Sequence, residues 1–128
     1  PAACGYTFVR KATKENFYHG ILLGILGYKE GWILKSNRES GDGYSGISVR
    51  IEDKEIGIVL EVKYAGDGQL QAVCRDAIRQ IDRNGYAKEL KNEGCYTILK
   101  YGIACRKKEC SVIVERENMQ DEVRADEA

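Results

Sequence analysis

At 128 residues the chain is of a size for one hydrophobic core, and a second domain is not expected. Its 43% hydrophobic and 31% charged residues exclude a wholly disordered protein, and no apolar run approaches the roughly 18 residues of a membrane helix. Twenty basic residues balance twenty acidic ones, so no net field gathers nucleic acid, and any such contact needs a local patch.

The N-terminus has no charged region followed by an apolar cleavable stretch, so a cytoplasmic protein is expected. The chain opens on Pro1 rather than methionine, as a processed product or a domain of a longer protein would. From Thr13, a plausible N-cap, apolar residues recur at Phe17, Tyr18, Ile21, Leu22, Ile25 and Leu26; this spacing predicts a helix that Gly27 stops. Trp32 to Lys35 reads as a short strand, and the polar, glycine-bearing residues Ser36 to Gly43 as a loop or tight hairpin.

Ile47, Val49 and Ile51 alternate with Ser48 and Arg50, which predicts a strand with one buried face. After a turn at Glu52 to Glu55, the nearly continuous apolar run Ile56 to Tyr64 predicts a central strand covered on both faces. Leu70, Val73, Cys74, Ala77, Ile78 and Ile81 fit an amphipathic helix, with Arg75, Asp76, Arg79, Asp82 and Arg83 on its outer side. A short helix at Tyr86 to Lys91 follows, ending at Gly94.

Thr97 to Cys105 and Cys110 to Glu115 read as two more strands joined by the basic tip Arg106-Lys107-Lys108-Glu109. The charged tail beyond Arg116 is expected to fray. Three antiparallel strands followed by a helical crossover predict an α/β fold with a mixed sheet flanked by helices, as one domain over 1–128 with its core at about 13–115. Five cysteines, Cys4, Cys74, Cys95, Cys105 and Cys110, form an odd set with no C-x-x-C pair, so reduced, mostly buried thiols are expected. Cys105 and Cys110 flank the tip, and facing each other they would be open to oxidation.

Chemistry concentrates at Glu61-Val62-Lys63. Side chains two apart on a strand share a face, so Glu61 and Lys63 project together and Val62 points away. One reading is a strand-end salt bridge. The other is a site for metal-assisted phosphodiester hydrolysis, in which the carboxylate holds the ion and the lysine neutralises developing charge. That chemistry needs a further carboxylate, because a hard ion takes several oxygen ligands.

Glu15 to Gly20, Ser36 to Gly43, Ile58 to Lys63 and Tyr101 to Ala104 carry a resemblance across residues 13–115, with Ser36-Asn37-Arg38-Glu39-Ser40-Gly41 its most specific part. These stretches resemble one branch of the PD-(D/E)XK nuclease superfamily, whose members often follow an AAA-like ATPase domain in a longer bacterial protein. The resemblance implies a restriction-endonuclease-like fold and DNA cleavage that depends on magnesium or manganese. It places Glu61 and Lys63 on the catalytic positions, the Val62 carbonyl in the metal shell, and Glu15 on the first-helix acidic position that assists through water.

The aspartate of the same motif falls on Gly46, which offers no ligand. Asp42 is a turn residue or a replacement ligand. Gln80 and Tyr86 resemble a glutamine and a tyrosine that related nucleases hold near the scissile strand. A degraded metal site follows, with two outcomes: residual DNA hydrolysis, or a non-catalytic binding or scaffold module working beside an ATPase or another partner. His19 lies one turn after Glu15, so a Glu-His pair is one expectation and a buried, satisfied histidine the other. Arg75, Arg79 and Arg83, and the Arg106-Lys107-Lys108 tip, are candidate phosphate contacts.

Overall fold

The computed structural model describes residues 2–27, 29–38 and 44–118, with side chains from residue 14 onward and, in the second strand, from residue 46. In chain order the elements are α1 (Ala2–Leu26), β1 (Trp32–Arg38), β2 (Tyr44–Ile51), β3 (Ile56–Tyr64), α2 (Leu70–Asn84), α3 (Tyr86–Asn92), β4 (Thr97–Arg106) and β5 (Glu109–Asn118). The five strands form one sheet in sequential order. Strands β1, β2 and β3 pair antiparallel, β3 and β4 parallel, and β4 and β5 antiparallel. The expected mixed α/β sheet is therefore present, and α2 with α3 makes the crossover that a parallel pair requires.

Strand alternation divides the core into two layers. Ile47, Val49, Ile51 and Leu60 face α1 and pack with Leu22, Leu23 and Leu26. Val59 and Ile98 face the other way, against Ile78 and Ile81 of α2 and Leu90 of α3. The apolar run read as a central strand is the middle strand of the sheet, walled on both sides.

Four boundaries differ from the expectations. Helix α1 begins at Ala2, well before Thr13; Thr13 is an interior helical residue rather than a cap, since the preceding alanine, arginine and lysine residues favour helix. Strand β1 runs on to Arg38 through polar residues read as loop. It does so because the Asn37 side chain is buried and donates to Ser48 Oγ at 2.8 Å, a partner on the neighbouring strand. Strand β5 continues to Asn118 rather than ending at Glu115, held by Glu117, which pairs with Lys91 and Lys100. The hairpin tip is tighter than read: Arg106 pairs with Glu109, which leaves a two-residue turn of Lys107 and Lys108.

Cys105 and Cys110 stand opposite each other in that hairpin, and the Cys110 thiol donates to the Cys105 sulphur at 2.9 Å. Burial, together with that bond, pushes the Cys105 thiol up to about 12, so it is protonated at neutral pH. Among the described residues Cys74, Cys95, Cys105 and Cys110 are free thiols, and all but Cys110 are buried. No described helix is long and apolar enough to cross a membrane.

Candidate functional site

Glu61 lies in a row that crosses the sheet. In the strand registers Asn37 pairs with Gly46, Gly46 with Glu61, Glu61 with Gly102, and Gly102 with Ile113. Paired residues share a face, so this row projects toward α2. Glu61 is thus flanked by two glycines, and its side chain is 0% exposed. Lys63, two residues on, shares that face and is half-buried at the end of the strand. Val62 points the opposite way, buried and paired with Ile103.

The glycine at 46 makes room for Glu61. A Cβ built at Gly46 would stand 2.5 Å from Glu61 Oε2 and 3.3 Å from Asn37 Cβ. The volume that a side chain on β2 would occupy is taken by the carboxylate from β3. A carboxylate this deep costs several kcal/mol unless polar neighbours or a counter-charge compensate, and the Asn37–Ser48 pair supplies a polar wall beside it.

Helix α1 reaches this end of the sheet from the other face. The Glu15 carboxylate accepts a hydrogen bond from the Tyr64 backbone N–H at 3.2 Å, directly after Lys63. Glu15, Glu61 and Lys63 are therefore gathered at one end of β3. They differ in setting, with Glu61 enclosed on the α2 side and Glu15 bound to the main chain.

His19 is 7% exposed, and burial holds its imidazole below the usual histidine range, while a hydrogen bond to the Gly46 backbone works the other way. It is the chain's one histidine. Because the folded state resists protonation, the unfolded chain binds more protons once pH falls below 6.5, and stability declines on acidification through that window. The slope is at most about 1.4 kcal/mol per pH unit. Urea titrations between pH 7.5 and about 5 should show this fall, flattened in His19→Gln; an unchanged profile in the variant would mean that another group titrates.

Gln80 lies half-buried on α2, and Tyr86 opens α3, packed against the Val59–Ile81 core layer and accepting a bond from Asn84 Nδ2 at 3.3 Å. Arg75, Arg79 and Arg83 form an exposed row on α2, and Arg79 pairs with Asp76. Asp42 lies outside the described residues.

Sequence reasoning missed an enclosed ion cluster at Lys100. Only 3% exposed, it binds Asp82 of α2 at 2.7 Å, Glu117 of β5, and Glu115 at 3.9 Å. Burial opposes its charge, but hydrogen bonds to Asp82 and Glu117 outweigh burial and hold the ammonium above the usual lysine range. The alternation of β4 was the available signal, since Lys100 occupies an inward position between Ile98 and Gly102.

The position across the strand pair from Glu61 is a glycine, and the Glu61 carboxylate fills the space a side chain there would take. Among the described residues no three His, Cys, Asp or Glu side chains converge as metal ligands.

No curated protein and no solved structure shows a significant match to the chain. A family model described as the PD-(D/E)XK nuclease superfamily matches residues 13–115, which hold β1 to β4 and most of β5. With the antiparallel triplet, the helical crossover and the Glu61-Val62-Lys63 strand end all inside that span, the chain belongs to the PD-(D/E)XK nuclease superfamily.

Proposed function

We propose that this chain is a nuclease-fold module that binds nucleic acid without cutting it, its hydrolytic metal centre having been lost at Gly46. One observation carries the reading: Gly46 is the direct cross-strand partner of Glu61, and the Glu61 carboxylate occupies the space a β2 side chain would need. Hydrolysis by a bound divalent ion requires several oxygen ligands around it, and among the described residues no group of three or more His, Cys, Asp or Glu side chains converges to supply them. The adjacent AAA-like ATPase domain implied by the resemblance fits this role, as the motor to which such a module would present nucleic acid or a partner protein.

A rival reading, residual magnesium- or manganese-dependent DNA cleavage, draws on the retained Glu61, Lys63 and Glu15 at one strand end. Thermal melting with and without millimolar magnesium or manganese separates the two. A metal at 100 times its dissociation constant stabilises the folded state by about 2.7 kcal/mol, a shift of several degrees. The proposal expects no shift and no cutting of plasmid or single-stranded DNA. A metal-dependent rise in melting temperature, with cleavage abolished by Glu61→Gln or by Asp42→Ala, would establish the rival and name the working ligand.

A further inference from the structure

The end of the sheet where β3 and β4 both stop holds a feature that the Glu61 row does not use. A cavity of about 390 Å³ is lined by Tyr64, Asp67, Arg106, Lys107, Lys108 and Glu109, among others. Arg106 builds its wall: its guanidinium donates to the Gly66 and Gly68 carbonyls, at 3.3 and 2.7 Å, and pairs with Glu109 at 3.6 Å. The loop after β3 is thereby tied to the hairpin tip, and the cavity is formed in advance of any ligand.

Lys107 and Lys108 stand differently. Both are exposed, and among the described residues no carboxylate lies within ion-pair range of either. Lys107 also has a backbone φ of 45°, one of two non-glycine residues with positive φ among those described. A two-residue hairpin turn favours glycine, asparagine or aspartate in that conformation, because a larger L side chain there loses stability. A lysine held in a strained turn, beside a preformed cavity with an aromatic wall, points from strain to binding.

We propose that this cavity takes one unit of single-stranded nucleic acid, with phosphate on Lys107 and Lys108 and the base against Tyr64. The inference rests on the reading of the chain as a nucleic-acid-binding module and names the surface that binds. Space for one nucleotide, an aromatic ring and unpaired cations at the rim are the components with which proteins hold single strands, by base stacking and phosphate contact. A duplex would not present a base to Tyr64, since its bases are stacked within the helix.

The test is fluorescence anisotropy of a fluorescein-labelled oligothymidylate on the full chain at low salt, paired with thermal melting of each variant. Lys107→Gly is expected to weaken binding about 5- to 10-fold and to lower the slope of log K against log salt by about 0.7. The same variant should melt at or above the native temperature, because it relieves the turn. Lys107→Arg should bind within about 2-fold of native, and Tyr64→Leu about 10-fold more weakly. Native binding by Lys107→Gly and Tyr64→Leu would overturn the site while leaving the module reading in place. Failure of the native chain to bind would remove the module reading itself, and with it the site. Displacement by free thymidine monophosphate at equal phosphate concentration would overturn the strand in favour of a nucleotide. Equal displacement by polyglutamate would overturn it in favour of an acidic polypeptide.

Discussion

Gly102→Ala is expected to destabilise the domain by about 3 kcal/mol or more. The methyl group would sit well inside van der Waals contact of the Cys74 carbonyl oxygen and 2.9 Å from Ile78 Cγ1. The first obstacle is helix backbone, which cannot rotate away as a side-chain tip can. Relief therefore requires α2 to lift from β4, loosening the buried Cys74, Ile78 and Ile81 with it. Domains of this size are stable by only about 5 to 15 kcal/mol, so urea unfolding should show a much lower midpoint at an unchanged slope. A change within about 0.5 kcal/mol would show that α2 is not seated on the sheet at this glycine.

That seat also explains which parts of the molecule were legible in the sequence. Ile56–Tyr64 and Leu70–Asn84 announce themselves because their apolar pattern is nearly continuous or helical in spacing, and the structure keeps both. The far end of β1 was hidden, since a polar Ser36-Asn37-Arg38 run reads as loop until Ser48 is known to stand beside Asn37. Glu61 and Lys63 sharing a face is a period-two statement that needs no partner strand. That Gly46 lies across from Glu61 is a matter of register, which local patterns do not fix. Lys100 was legible only as an inward position of β4: its partners Asp82 and Glu117 sit on separate elements, joined to it only through the crossover and the last hairpin. The same holds for Glu15, whose acceptor role depends on where α1 meets the Tyr64 N–H.

Gly46→Asp should turn the proposed loss into a measurable energy. Without metal the new carboxylate would lie against Glu61 Oε2, which already stands 2.5 Å from the position of the added Cβ. Two carboxylates so close in a buried site cannot both remain ionised, and one is forced to take a proton. The metal-free variant is expected to lose about 3 kcal/mol near neutral pH, with part of the loss recovered on acidification as that proton binds. Gly46→Ala places the same Cβ without the charge, and should lose less because the Glu61 carboxylate is the end of a flexible side chain and can yield. The difference between the two variants contains the charge repulsion together with the room and desolvation that the added carboxyl group needs. Magnesium or manganese should then stabilise Gly46→Asp alone, by about 1.4 kcal/mol at tenfold excess over its dissociation constant, because a second hard oxygen ligand stands beside Glu61. Native protein, Gly46→Ala and Asp42→Ala should not respond to the ions. Equal stability of the Asp and Ala variants, with neither responding to metal, would mean that a side chain at 46 does not reach Glu61, and the loss of the metal centre would have to be sought at another residue.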